Sequence, residues 1–126
     1  MEKSDLRQRL SDIQWKVTQE NDTERPYSSP YTNLKETGNY FCIVCNTKLF
    51  TSVAKFDSHC GWPAFSAPAV HEQIKELVDT THGMRRVEVR CKTCDAHLGH
   101  VFDDGPPPSG IRYCINGASL NFIRDN

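Results

Sequence analysis

The chain has 126 residues, the length of one domain, and splitting it would leave neither half much to bury. Its 15 basic and 16 acidic side chains nearly cancel, which argues against a nucleic-acid or membrane-surface binder, and no apolar run approaches a membrane span. Leu, Ile, Val and Phe make only 27 residues, so the core is lean; six cysteines are too few for a disulfide scaffold but ample for a metal staple plus two further thiols.

The first dozen residues carry acids and no apolar h-region, so they read as neither secretory signal nor transit peptide, and a reducing, cytoplasmic setting is the default expectation. Leu6, Leu10, Ile13 and Val17 recur at helical spacing behind the start signals Ser4 and Asp5, which predicts a helical arm within residues 1–20. A polar loop follows to Pro30. Strand-like runs are predicted at Tyr40–Cys45, Arg85–Arg90, Ile111–Ile115 and Leu120–Ile123. Glu72–Asp79 fits either one helical face or a strand, and Asp103–Gly110, with three prolines, is a loop. The expected fold is mainly β, with a short helical arm on a β core over residues 38–126.

Cys42, Cys45, Cys91 and Cys94 form two C-x-x-C pairs separated by 45 residues. A two-residue spacer lets a tight turn aim both sulfurs at one ion, and two such turns complete a tetrahedron. A weak internal repeat supports the pairing: Leu49 and Leu98 each stand four residues past the second cysteine of their pair. The competing reading, a thioredoxin-like redox pair, wants a motif opening a helix beside a βαβ unit, and neither pair has that context. Four thiolates leave no open position, so the expected zinc is structural, supplying on the order of 10 kcal/mol to a lean core.

Cys60 and Cys114 lie outside these pairs. If Ile111–Asn116 is a strand, Ile111, Tyr113 and Ile115 share one face while Arg112, Cys114 and Asn116 share the other. A guanidinium beside a thiol favours the thiolate, although a free cysteine is as often a small buried hydrophobe.

The runs His59-Cys60-Gly61-Trp62-Pro63-Ala64-Phe65, Arg90-Cys91-x-x-Cys94-x-x-His97-Leu98-Gly99-His100-Val101-Phe102 and Arg112-Tyr113-Cys114-Ile115-Asn116 closely resemble the B-type methionine sulfoxide reductases, the methionine-R-sulfoxide reductases. The likeness extends to Val17-Thr18-Gln19 and to Ser119-Leu120, covering most of the chain. It implies a single reductase domain over residues 1–126, with two antiparallel sheets stapled by one structural zinc and no organic cofactor. It also implies that Cys114 attacks the sulfoxide sulfur, releases methionine and becomes a sulfenic acid, which condenses with the recycling thiol Cys60. Thioredoxin would then reduce that disulfide. Repair of the R epimer of methionine sulfoxide, free or in proteins, is the implied activity, and a monomer is expected.

The resemblance assigns further roles. Trp62 would wall the pocket against the substrate's S-methyl group, although an isolated tryptophan more often packs in a core. His97 and His100 resemble the active-site histidines, and an imidazole titrating near neutrality suits proton delivery to the sulfoxide oxygen. Their other reading is as extra zinc ligands. Arg112 and Asn116 would hold the thiolate and its polar neighbours. Phe122 is a candidate for pocket lining or for core.

Three positions depart from the family pattern. Ala64 and Gly117 stand where serine is common, and His59 replaces a frequent glycine before Cys60. Histidine tolerates a positive φ better than most residues, and a protonated His59 would favour the Cys60 thiolate. The alternative function is a zinc-ribbon-like interaction module that uses the knuckles as a scaffold without catalysis.

Overall fold

The computed structural model describes residues 3–80 and 83–125. The N-terminal helical period is present but divided into α1 (Lys3–Arg9) and α2 (Asp12–Gln19), where the apolar spacing alone predicts one arm. Ser11 causes the division. Its hydroxyl accepts from the Gln14 N–H while its own N–H donates to the Gln14 side chain, a capping box that starts a second helix. Leu6, Leu10 and Val17 remain buried, whereas Ile13 turns to solvent.

The β core consists of two sheets in which every strand pair is antiparallel. One sheet runs in the order β2 (Lys48–Thr51), β1 (Gly38–Cys42), β9 (Leu120–Arg124). The other runs β3 (Lys55–Phe56), β4 (Ala64–Phe65), β8 (Arg112–Ile115), β7 (His97–Phe102), β6 (Arg86–Cys91), β5 (Ile74–Asp79). The expected mainly β architecture with two antiparallel sheets and a short helical arm is what the chain adopts.

Two runs resolve differently from their local pattern. The strand expected through Cys45 ends at Cys42, because the next residues form a turn closed by the Asn46 N–H on the Cys42 carbonyl, 2.8 Å. The open segment Glu72–Asp79 becomes a short 3₁₀ turn, His71–Gln73, followed by β5. Leu77 and Val78, which suggested a helix face, are exposed on this edge strand.

The core lies between the sheets. Tyr40 and Phe50 come from the smaller sheet and meet Phe65 of the larger one at 5.1 and 4.4 Å between ring centroids. Period two then sorts β8 as its sequence predicts: Tyr113 and Ile115 point into this core, while Arg112 and Cys114 stand on the outer face. Cys114 is therefore carried on the back of the sheet whose front builds the hydrophobic core.

Candidate active site and metal centre

The two knuckles are built alike. Cys42 ends β1 and Cys91 ends β6, and each is followed by a turn that brings back the second cysteine. Asn46 and Asp95 take left-handed φ values of 65° and 66°, a conformation that asparagine and aspartate tolerate. Each donates its N–H to the carbonyl of the knuckle's first cysteine at 2.8 Å. The four sulfurs lie within 4.8 Å of one another, with Cys42–Cys94 and Cys45–Cys91 both 3.6 Å apart. Zinc–sulfur bonds of about 2.3 Å require sulfur–sulfur edges of roughly 3.8 Å, so the thiols fit one tetrahedral cation. Arg9 of α1 reinforces the first turn by donating to the carbonyls of Ile43 and Val44 at 2.8 and 2.7 Å. No histidine joins this group among the described residues.

On the outer face of the larger sheet, Cys114 is paired in register with Ala64 on β4 and His100 on β7. A cleft opens over it, walled by Trp62, His100 and Phe102 and floored by Gly99, with Thr23, Arg86 and Asn116 at its margins. Cys60 lies on the loop before β4, its sulfur 3.4 Å from that of Cys114. A disulfide needs about 2.05 Å, so the two thiols can bond after a shift of little more than an ångström.

These thiols titrate as a pair. Cys60 is pushed down to about 5, chiefly by the hydrogen bond from Cys114, with Ser58 and the Arg112 charge also contributing against the cost of burial. Cys114 is correspondingly held above the ordinary thiol range, by that same bond and then by burial, while Arg112 pulls it down. One negative charge is thus easily placed on the pair and a second is resisted. Arg112 is itself fixed by a two-pronged pair with Asp104, at 2.8 and 3.1 Å, and lies over the Phe102 ring at 4.4 Å.

The two histidines are not equivalent. His97 is 2% exposed, its Nδ1 is 3.1 Å from the Val17 carbonyl of α2, and burial holds it below the usual imidazole range. His100 lines the cleft, with Nε2 2.9 Å from Asp79. The rings stand 5.8 Å apart, centroid to centroid, beside an adjoining cavity shared with Glu88.

Asn116 is buried at the edge of this cleft. It donates to the Leu98 carbonyl and accepts from the Glu24 N–H, at 2.9 and 3.0 Å. The Trp62 indole N–H donates to the Glu24 carbonyl at 3.0 Å. The structure does not bring Phe122 to the cleft: opposite Tyr40 in β1, its ring packs on Tyr40 at 4.8 Å, within the aromatic core. His59 does take a positive φ, 59°, but its exposed ring faces Asp57 at 3.4 Å. At position 117 a Cβ would collide with the Ser29 side chain, so the serine common in the family would need a different neighbour there.

Sequence reasoning missed Thr23, Glu24, Asp79, Arg86, Gly99 and Phe102. Only Gly99 carried a usable signal, since a glycine inside a strand marks close backbone approach. An added Cβ there would press on the Cys114 carbonyl of β8.

Comparison with known proteins agrees with this arrangement. Residues 10–124 match the SelR domain. A peptide methionine sulfoxide reductase MsrB of Burkholderia thailandensis is 55% identical over 120 residues, covering 94% of this chain and 84% of that protein. The MsrB of Hahella chejuensis is 55% identical over 116 residues, covering 92% and 84%. A domain match over residues 10–124, with relatives more than half identical over more than nine tenths of the chain, means that the chain belongs to the SelR-domain MsrB family.

Proposed function

We propose that this protein is a thioredoxin-recycled methionine-R-sulfoxide reductase, with Cys114 as nucleophile and Cys60 as recycling thiol. Family membership supports methionine sulfoxide reduction; the observation that carries the mechanism is the 3.4 Å approach of Cys60 to Cys114, the thiol that lines the open cleft. The pair's single proton moves to Cys60 within the existing hydrogen bond, leaving Cys114 as the thiolate. Its sulfur attacks the sulfoxide sulfur to form an S–S bond as the oxygen takes up a proton; the methionine S–O bond and then the S–S bond break as that oxygen bonds to the Cys114 sulfur, leaving a sulfenic acid while methionine departs two electrons richer. Cys60 then attacks the sulfenic sulfur, releasing water and forming the disulfide. An external dithiol, thioredoxin in this reading, opens it by exchange.

His100 is the better proton donor to the sulfoxide oxygen, because it lines the cleft while His97 does not, and burial holds His97 below the usual imidazole range. Asp79 and the Val17 carbonyl orient the two rings. The Trp62 indole offers an apolar wall for the S-methyl group. A sulfoxide sulfur is a stereocentre, so fixing the methyl and the oxygen together admits one epimer. Cys42, Cys45, Cys91 and Cys94 would hold one zinc ion, whose closed thiolate shell supplies stability rather than chemistry.

The decisive test assays both sulfoxide epimers with thioredoxin. Cys114→Ser is expected to abolish R-epimer reduction with metal still bound, and Cys60→Ser to complete one turnover without cycling. Normal activity in Cys114→Ser would refute the assignment and favour the non-catalytic zinc-module reading, to which Cys114 is irrelevant.

A further inference from the structure

We propose that Glu24 is a positioning residue for substrate discrimination, locking Trp62 and the chain just beyond Cys114 into one rigid unit. This rests on the reductase reading above, and it assigns the geometry of the methyl-binding wall to a residue outside the cleft.

Glu24 sits in an exposed loop, between exposed Thr23 and Arg25, yet is itself only 4% exposed. Burying a carboxylate is costly unless its oxygens are satisfied. Here both are: Oε2 accepts the Gly117 N–H and Oε1 the Ala118 N–H, each at 2.8 Å. Among the described residues no cation pairs with it. These amides open the 3₁₀ turn Gly117–Ser119, which carries the chain from β8 into β9. Glycine at 117 leaves this approach free, because a side chain there would collide with Ser29.

The main chain of the same residue holds the other parts. Its N–H donates to Asn116 Oδ1, and its carbonyl accepts the Trp62 indole N–H, both at 3.0 Å. Trp62 lies on the loop between β3 and β4, outside any strand, so this bond is what fixes its indole beside the cleft that Cys114 also lines. Asn116 extends the link to β7 through the Leu98 carbonyl. Four hydrogen bonds on one residue therefore join the methyl wall, the segment after the nucleophile and the loop whose Thr23 borders the cleft. A methyl pocket separates epimers only if its wall cannot shift, and a wall on a loop gains its rigidity from such ties.

Glu24→Gln is the sharpest probe. It preserves volume but replaces one accepting oxygen with an NH₂, setting donor against donor at one of the two turn amides. We expect the R-epimer KM to rise about tenfold, the scale of a poorly fitted small apolar group, and the R-over-S ratio of kcat/KM to fall by a similar factor. Zinc content and the alkylation rate of Cys60 should stay within twofold. Trp62→Phe retains a ring but cannot donate to Glu24, so adding Glu24→Gln to it should cost less than threefold more, the mark of two changes that cut one link. An unchanged KM and epimer ratio in zinc-loaded Glu24→Gln, or full additivity with Trp62→Phe, would overturn the proposal. Should Glu24→Gln not fold, Trp62→Phe decides alone: an epimer ratio equal to that of the wild type overturns it. A wild type that reduces neither epimer removes the reductase reading itself, whereas an R-selective wild type with an indifferent Glu24→Gln removes only this inference.

Discussion

Gly99→Ala tests how tightly Cys114, the proposed nucleophile, is held. Gly99 lies opposite Ile115 in the β7–β8 ladder, one step from the His100–Cys114 pair. A methyl at 99 would sit against the Cys114 carbonyl oxygen, 3.0 Å from the Ile115 Cα and 3.1 Å from the Cys114 carbonyl carbon. Carbon atoms prefer about 3.5–4.0 Å, so β8 must retreat by roughly 0.5–1 Å, and backbone on both sides leaves no flexible side chain to give way. Overpacking of this kind costs about 1–3 kcal/mol. At about 2.1 cal/mol/K of unfolding entropy per residue, a chain of this length should lose about 4 °C of Tm for each kcal/mol, so a drop of about 4–11 °C is expected. The catalytic loss should be larger in proportion, because a 1 Å misplacement of a reacting group costs on the order of 10²-fold. The assay is single-turnover reduction of methionine-R-sulfoxide alongside a thermal melt and a zinc determination. A Gly99→Ala protein with bound metal and a rate within threefold of the wild type would refute the reasoning.

The remaining predictions concern the metal and the thiols. A structural four-thiolate zinc is worth about 10–16 kcal/mol, comparable with the whole net stability of a domain, about 5–15 kcal/mol. Strong chelation or Cys94→Ser should therefore collapse the far-UV circular dichroism near room temperature; a metal-free protein melting cooperatively at the original temperature would sink the assignment. The thiol pair gives the pH dependence. Because Cys60 is pushed down to about 5, its thiolate persists at neutral pH and disappears as pH falls through that value. Iodoacetamide labelling of Cys60 should be flat from pH 8 to 6 and decline below 5, whereas an ordinary thiol near 8.5 loses about tenfold per unit over the whole range. A tenfold-per-unit fall between pH 8 and 6 would contradict the shared-proton geometry.

What the sequence disclosed, and what it hid, follows from the range of the interactions. The knuckles are legible because two residues between thiolates is a local constraint, and β8 is legible because alternation decides which of its residues meet the core. Ser11 escaped notice because a capping box interrupts a helix without disturbing its apolar period. β7 escaped because His-Leu-Gly-His does not alternate: Leu98 and Gly99 are both buried between flanking strands. Asp79 lay in a segment whose period fitted helix and strand alike, and its value to the site depends on a histidine 21 residues away. Glu24 is the extreme case, since its carboxylate partners are 93 and 94 residues further along. Phe122 illustrates the reverse: its type suits a pocket, but register opposite Tyr40 commits it to the core.

The same register shows how a metal held by the four cysteines would matter to the proposed reaction without taking part in its chemistry. From Cys114 the chain crosses between sheets through the Asn116–Ser119 turn, and Leu120 then pairs with Cys42 of the four-cysteine cluster. The Ser119 carbonyl accepts from the Ile43 N–H inside the first knuckle at 2.9 Å. Five residues thus separate Cys114 from β9, whose partner β1 ends in Cys42, and Glu24 grips the turn between them. A turn held at both ends and in the middle cannot lengthen to absorb movement. Displacement of the first knuckle is therefore passed to β8 and to Cys114, which as the proposed nucleophile would have to meet the substrate within a fraction of an ångström. The lean core sharpens the dependence, because few buried side chains remain to hold the two sheets in register once the four thiolates no longer share an ion.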